Sequence, residues 1–327
     1  MTAAALRPMT VGDILDQSFT IYRQSFVTLV GIVAIIHVPL LVLQLIGGLL
    51  FGTQLTDLFG ARGATPALTT TQTAAILIGA ALFVVAAIAT GIASIFQTGA
   101  LAVVVSERFL GNTITVRDAY ARALRRWPSL LAMILILGAF NLAFVAVFFV
   151  PFFLLIFAGV LGSAAGGSGA GAAAGAMLSL FVCIVCLAYP LLLVGYYAVN
   201  TRLTFATQTI VLEHLGGVDG LRRSWNLVRG SFWRVLGINF VLGLLVGLIA
   251  QGPSFAISIG ANLLPWPMVG FVLNIAAQSI IQILILPIEF AALTLLYYDL
   301  RIRKEGFDLQ LLAQQLAPTP PPSEGVA

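Results

Sequence analysis

Two distant stretches of the chain carry nearly the same pattern: SFTIYRQSFVTLVGI at residues 18–32 and SWNLVRGSFWRVLGI at residues 224–238. Six of the fifteen aligned positions are identical, including the arginine, the Ser-Phe pair after it and the final Gly-Ile. Each stretch passes from a polar segment into a long apolar run. The recurrence of this transition predicts an internally repeated fold.

The composition predicts a membrane protein. Of the 327 residues, 60% are hydrophobic and 9% are charged, whereas soluble domains carry about 25% charged residues. A soluble core cannot bury this much apolar surface, so most of it must face lipid. The net charge of +4 comes from arginines beside apolar runs. This arrangement favours anionic lipid head groups as partners and predicts no nucleic-acid partner.

Six apolar runs are long enough to cross a bilayer, which requires about 20 residues. They lie at 26–51, 74–108, 129–160, 177–212, 232–262 and 268–299. QGPS at 251–254 and PWP at 265–267 interrupt the end of the fifth run. This leaves open an early end of that span, followed by a short interfacial segment.

Basic residues sort to one side of the predicted membrane. The connections between spans one and two, three and four, and five and six contain a single basic residue, Arg62. By the positive-inside rule, the chain is predicted to be a multi-pass protein of the cell membrane with both termini cytoplasmic. Residues 313–327 are predicted to form a disordered cytoplasmic tail, and no cleavable signal peptide is expected.

Three amphipathic segments precede spans one, three and five. The first two begin with TVGD at 10–13 and TVRD at 115–118, a threonine N-cap with an acidic residue three positions later, whereas the third begins with GVDG. Their apolar residues recur every three or four positions, which is typical of an interfacial helix. The second span of each unit ends in a carboxylate, at Glu107, Glu213 and Asp299.

The predicted fold is therefore all-α: a polytopic membrane helix bundle of about six spans. It is built from three repeats of an interfacial helix plus a helical hairpin. The repeats are placed at about 10–110, 115–214 and 217–305, within a single integral membrane domain at 1–312.

Three segments carry a family resemblance: RPMTVGDILDQSFTIYRQSF at 7–26, LRRSWNLVRGSFWRVLG at 221–237 and LLYYDLRIRKEGFDL at 295–309. They resemble bacterial proteins named for the membrane domain of glycerophosphoryl diester phosphodiesterase, over nearly the whole chain. In those enzymes the membrane domain precedes a catalytic barrel that uses acidic metal ligands and two histidines. Here the two histidines, His37 and His214, stand in unrelated contexts. The resemblance therefore implies a multi-pass membrane protein without the phosphodiesterase barrel.

Three ionisable residues are candidates for polar sites inside the membrane: Glu289, His37 and Arg202. Glu289 stands ten residues before Asp299, about 15 Å along a helix and so near the middle of a hydrocarbon core about 30 Å thick. Arg202, eleven residues before Glu213, has a comparable nominal depth. An ionisable group at that depth needs a partner or a wet cavity, and His37 or Arg202 could pair with Glu289.

Each candidate also has a structural alternative. Glu289 can serve ion or proton coupling or contact a polar substrate, or it can be a neutral or paired structural glutamate. His37 can be a neutral histidine bonded to a backbone carbonyl opened by Pro39. Arg202 can be an interfacial anchor, if the fourth span is already crossed by Asn200.

Seven arginines of the amphipathic segments are the predicted lipid head-group contacts: Arg23, Arg122, Arg125, Arg126, Arg222, Arg223 and Arg229. No catalytic residue, metal ligand or cofactor is predicted, because the sequence contains no P-loop, no HExxH and no nucleophile elbow. The leading hypothesis is a non-enzymatic membrane module that interacts with lipid or a protein partner. The alternatives are a transporter or channel for a small or amphipathic solute that uses Glu289 and, less favoured, a lipid-metabolism enzyme.

Overall fold

The computed structural model describes residues 8–60, 70–164, 168–307 and 309–310. Within these residues the chain forms ten helices and no strand, which confirms the predicted all-α class. The helices are α1 (Val11–Gln24), α2 (Phe26–Gly60), α3 (Thr70–Phe109), α4 (Val116–Leu124), α5 (Trp127–Ala164), α6 (Ser168–Leu203), α7 (Ala206–Leu212), α8 (Gly217–Val228), α9 (Phe232–Asn262) and α10 (Pro267–Glu305). The predicted tail at 313–327 lies outside the described residues.

Among the described residues, five helical segments are long and apolar enough to cross a membrane. They are Phe26–Leu49, Gln72–Phe109, Trp127–Val147, Phe232–Ala261 and Met268–Glu305. These correspond to predicted spans one, two, three, five and six, and the fourth predicted span is occupied by α6 and α7. Side chains such as Val27 and Leu187 are each 82% exposed, as a lipid-facing surface requires. The chain is therefore a membrane protein with several apolar helices.

The fifth span does not end early. Helix α9 continues through Pro253 to Asn262. The Ser254 hydroxyl donates a hydrogen bond to the carbonyl of Ala250 at 2.7 Å, and such serine contacts help to satisfy the backbone around a proline inside a membrane helix. Helix α10 then begins at Pro267, a position where the missing N–H is tolerated.

The helices form two compact units. The first comprises Met1–Arg126, Val211–Glu213 and Gly237–Ala327. In it α2 and α3 form a hairpin, α10 packs against both of them, α1 lies mainly against α10, and α4 lies mainly against α3. Leucines such as Leu101 and Leu295 are fully buried between these helices.

The second unit comprises Trp127–Ile210 and His214–Leu236. Helices α5 and α6 form a hairpin, and α8 packs against both. Gly217 permits this close approach, since a Cβ atom there would lie 2.6 Å from the backbone oxygen of Ser129. The short helix α8 is thus fixed to the start of α5.

The order of the elements follows the predicted units. A short helix and two long ones recur as α1–α3, α4–α6 and α8–α10, with α7 added after α6. Helix α4 packs against α3, and α8 packs against α5 and α6, so each contacts the hairpin before it, whereas α1 contacts the last helix, α10. That the three groups are true sequence repeats stays a prediction.

Candidate membrane-interface site

Threonine caps set the starts of α1 and α4. The Thr10 hydroxyl oxygen accepts a hydrogen bond from the N–H of Asp13 at 3.2 Å, and the Asp13 carboxylate accepts one from the N–H of Thr10 at 2.8 Å. Thr115 likewise accepts from the N–H of Asp118 at 3.2 Å. Helix α8 follows Gly216 and has no side-chain cap. The two threonine caps confirm the predicted starts.

Part of the apolar face of each of the three short helices is buried against protein. The buried apolar residues are Ile14 and Ile21 in α1, Ala119 and Ala123 in α4, and Leu221, Leu227 and Val228 in α8. Amphipathic periodicity alone does not distinguish a face that packs on protein from one that enters lipid. Part of each predicted stripe is therefore used for internal packing, while Phe19, Leu124 and Val218 on the same helices are exposed.

Most of the predicted lipid-contacting arginines lie on the outer faces. The exposed ones are Arg23, Arg122, Arg125, Arg222 and Arg229, while Arg126 and Arg223 are half-buried. Arg122 also forms an ion pair with Glu107 at the end of α3. The short helices thus present cationic side chains away from the buried stripes.

An exposed aromatic ring accompanies an exposed arginine wherever a short helix meets the long helix that follows. The pairs are Arg23 with Phe26, Arg125 with Trp127, and Arg229 with Trp233. In that order the aromatic residues are 43%, 54% and 80% exposed. We call these three pairs the Arg–aromatic junctions. Aromatic rings and basic residues are both enriched where membrane helices meet the head-group region.

Hydrogen bonds join the helices around the first Arg–aromatic junction, Arg23 with Phe26. The Arg108 guanidinium, at the end of α3, donates to the hydroxyl of Ser25 and to the backbone oxygen of Gln24, both at 2.9 Å. The Tyr120 hydroxyl donates to the backbone oxygen of Ile32 at 2.7 Å. Burial raises the pKa of Tyr120 to about 12, so this phenol stays a neutral donor at physiological pH.

A cluster around the buried carboxylate of Asp299 ties the start of α1 to the end of α10. Asp299, which is fully buried, accepts hydrogen bonds from the backbone N–H of Met9 at 2.7 Å and from Nε of Arg303 at 2.9 Å. Arg303 also donates from Nη2 to the backbone oxygen of Met9 at 2.9 Å. We call this arrangement the Met9 clamp. In the sequence, Asp299 is visible only as the carboxylate that ends the last span, without an assigned role.

The neighbouring tyrosines of α10 form two further contacts in the first unit. The Tyr297 hydroxyl donates to Oε1 of Glu213 at 2.7 Å, and Nε of Arg301 lies 3.8 Å from the same oxygen. The hydroxyls of Tyr298 and Ser106 are hydrogen-bonded at 2.5 Å. The signal for this cluster was present in the sequence as recurrent terminal carboxylates and the YYDLRIR motif. Nothing local in the sequence indicated their partners.

Two of the predicted intramembrane candidates, Glu289 and His37, are not joined by a hydrogen bond or an ion pair. Glu289 is half-buried in α10, and no hydrogen bond or ion pair joins it to another residue in the described part of the chain. Nδ1 of His37 lies 3.1 Å from the backbone oxygen of Val33. This is the backbone-bonded alternative for His37, although the acceptor is the carbonyl four residues earlier and not the one opened by Pro39. Across the described residues, no group of three or more His, Cys, Asp or Glu side chains could hold a metal ion.

The third candidate, Arg202, lies against aromatic rings of the second unit. Its guanidinium carbon is 4.4 Å from the ring centroid of Trp225 and 5.5 Å from that of Phe232, the first residue of α9. Arg202 is thus level with the start of a long apolar helix, which favours the interfacial alternative. The depth counted from Glu213 is misleading because α6 ends at Leu203 and α7 is a separate helix.

A family model described as Domain of unknown function (DUF7847) matches residues 9–300. The matched region begins at Met9 and extends past Asp299, so it includes both residues of their hydrogen bond. No curated protein and no solved structure matches the chain.

Proposed function

We propose that this chain, which belongs to the family of the Domain of unknown function DUF7847, is a non-enzymatic membrane module that binds anionic lipid. The observation that supports the proposal is the presence of an Arg–aromatic junction at the start of α2, α5 and α9. The guanidinium offers several donors to a phosphate, and each basic residue near an anionic membrane surface contributes about 1 kcal/mol of attraction.

The proposal places the Arg–aromatic junctions at the cytoplasmic leaflet, with both termini cytoplasmic. It is supported by the distribution of basic residues, since the outer connections carry Arg62 alone. Single cysteines introduced at Asn112 and at residue 65 would test it, with a membrane-impermeant thiol reagent applied to intact cells. We expect labelling at residue 65 only, and labelling at Asn112 would contradict the orientation.

Lipid retention tests the proposed function. The protein is reconstituted in nanodiscs with equal amounts of phosphatidylglycerol and phosphatidylcholine, extracted mildly, and the retained lipids are counted by mass spectrometry. The test variant replaces four exposed arginines by glutamine: Arg23, Arg125, Arg222 and Arg229. Arg122 is left unchanged because its ion pair with Glu107 would confound the result.

The unmodified protein should retain phosphatidylglycerol in preference to phosphatidylcholine, and the glutamine variant should lose most of that preference. A matched variant with lysine at the same four positions keeps the charge and should keep much of the preference. An unchanged lipid ratio in the glutamine variant would refute the proposed function.

A second candidate function is a transporter or channel that uses Glu289. It is supported by the half-buried position of this carboxyl in a candidate span, without a hydrogen-bond or ion-pair partner in the described part of the chain. In proteoliposomes, Glu289→Gln should abolish pH-dependent solute flux, whereas the exposed Gln282→Leu on the same helix should not. Absence of flux through the unmodified protein across a broad solute panel would contradict this function.

We also propose kinship with the membrane domain of the glycerophosphoryl diester phosphodiesterase family. It is supported by the segments at 7–26 and 295–309 that carry the resemblance, because they supply both sides of the Met9 clamp. A structure of that membrane domain with an equivalent clamp between its first and last helices would strengthen the proposal. A different connection there would weigh against it.

A further inference from the structure

We infer that Arg202 binds the phosphodiester of one anionic phospholipid, and that Trp225 and Phe232 hold its guanidinium in position for this contact. The inference rests on the proposed function and deepens it, because it names one specific head-group site. It concerns the second unit alone.

The guanidinium of Arg202 contacts aromatic rings and no hydrogen-bond acceptor in the described part of the chain. It lies 4.4 Å from the centroid of Trp225 and 5.5 Å from that of Phe232. No hydrogen bond or ion pair joins this side chain to any residue that the structure describes. A guanidinium on an aromatic face keeps the N–H donors at its edge available, and their planar fork matches two oxygens of a phosphate.

The position of the rings is fixed by buried hydrogen bonds. The hydroxyl of Ser224, which is fully buried, donates to the backbone oxygen of Arg202 at 2.8 Å and accepts from the N–H of Phe205 at 3.2 Å. Thr209 donates to the backbone oxygen of Gly220 at 2.9 Å. Because Trp225 directly follows Ser224, its ring is held beside Arg202 before any ligand arrives. Such pre-organisation lowers the entropy cost of binding.

The surroundings of Arg202 fit a lipid better than a free anion. Trp233, which is 80% exposed, contacts Phe232 edge to face at 5.4 Å between ring centroids. On α6, Leu191 is 76% exposed and stands eleven residues before Arg202, which is three helical turns and therefore the same face. The two residues are separated by about 16 Å along the helix, close to half of a hydrocarbon core about 30 Å thick. An acyl chain can follow this face while the head group reaches Arg202.

Native mass spectrometry of the intact protein tests the inference. The probe is phosphatidylglycerol in nanodiscs that also contain phosphatidylcholine, and the readout is the number of phosphatidylglycerol molecules retained after mild extraction. Arg202→Gln should lower retention at one site about tenfold, since a charge-assisted hydrogen bond is lost. Arg202→Lys should be intermediate, because lysine lacks the planar fork. The matched control is Arg117→Gln, at an exposed arginine of α4 outside the predicted lipid contacts, and it should retain this lipid.

Trp225→Leu keeps every charge and removes the principal ring, so it should also lower retention at that site. Thermal unfolding in detergent checks that each variant is folded. If Arg202→Gln does not fold, Trp225→Leu and Arg202→Lys decide the outcome. Retention equal to that of the unmodified protein in the folded variants would overturn the inference. An equal loss in the control Arg117→Gln would also overturn it.

In a separate experiment, inorganic phosphate is added to the protein in nanodiscs that contain phosphatidylcholine alone. Phosphate bound with the same dependence on Arg202 would show a site for the free anion and overturn the lipid assignment. Loss of lipid preference in the fourfold arginine variant with no effect of Arg202→Gln would refute this inference and leave the proposed function standing. No effect of either change would refute both.

Discussion

The two units of the molecule use their polar side chains differently. In the first, charged groups bind one another and the backbone: Asp299 and Arg303 hold Met9, and Glu213 accepts from Tyr297. In the second, neutral hydroxyls hold the helices together, and the cationic side chain of Arg202 lies on aromatic rings. A charge whose partners are all internal acts as scaffold, whereas a positioned charge without an internal acceptor is available to a ligand.

The largest effect is expected at the Met9 clamp. Asp299→Ala would leave the N–H of Met9 without its buried acceptor, which costs about 1–3 kcal/mol of stability. It would also remove the hydrogen bond between the carboxylate and Arg303, whose side chain is 36% exposed, and a hydrogen bond to a charged group contributes about 1.5–3 kcal/mol. The midpoint of thermal unfolding in detergent should fall markedly. Asp16→Ala, at an exposed carboxylate of α1, is the matched control and should have little effect. A clamp variant as stable as the control would show that the first unit does not depend on this cluster.

Two tyrosines, one in each unit, allow a charged hydrogen-bond acceptor to be compared with a neutral one. The Tyr297 hydroxyl donates to the carboxylate of Glu213 at 2.7 Å, and the Tyr196 hydroxyl, in the second unit, donates to the side-chain oxygen of Asn141 at 2.6 Å. Tyr297→Phe should cost about 1.5–3 kcal/mol and Tyr196→Phe about 0.5–1.5 kcal/mol, because hydrogen bonds to charged groups contribute more. Thermal unfolding measures both changes. Equal or reversed losses would contradict the contrast between the units.

Removal of the threonine cap of α4 should lower the stability by a smaller amount. Thr115→Ala removes the hydroxyl that accepts from the N–H of Asp118 and should cost about 1 kcal/mol. The exposed Thr113, two residues earlier and outside the helix, provides the control Thr113→Ala. Chemical denaturation followed by circular dichroism can resolve this difference, and identical midpoints for the two variants would argue against the cap.

The smallest effect is expected for the ion pair between Arg122 and Glu107. The Arg122 side chain is 54% exposed, and exposed ion pairs contribute between about 0 and 1 kcal/mol. Arg122→Gln should therefore leave the unfolding midpoint nearly unchanged at moderate salt. A loss comparable with that of Asp299→Ala would mean that this pair belongs to the scaffold.

Much of the fold could be predicted because membrane helices are specified by long local runs. The starts of α2 and α9 at Phe26 and Phe232 agree with the predicted spans, and the caps at Thr10 and Thr115 formed as their spacing indicated. Such features depend on residues within a few positions of one another. The sequence alone therefore contained the information needed to predict these helix starts and caps.

The site was less predictable, because it depends on contacts between distant residues. The clamp joins Met9 to Asp299 across 290 positions, and no local pattern indicates that pairing. Arg202 was assigned a nominal depth along one continuous helix, but the turn after Leu203 changes that depth. The apolar periodicity of α1, α4 and α8 is compatible with contact to lipid and with contact to protein. Only the packing of the helices shows which of these residues are buried against protein.

The Met9 clamp also has a consequence for biosynthesis. Its two halves are separated by 290 residues, so the clamp cannot close until the ribosome has delivered the last helix. At typical synthesis rates of about 5–20 residues per second, the nascent chain waits on the order of 15–60 s with the clamp open. A truncated product that stops before α10 would therefore leave α1 without its main docking surface.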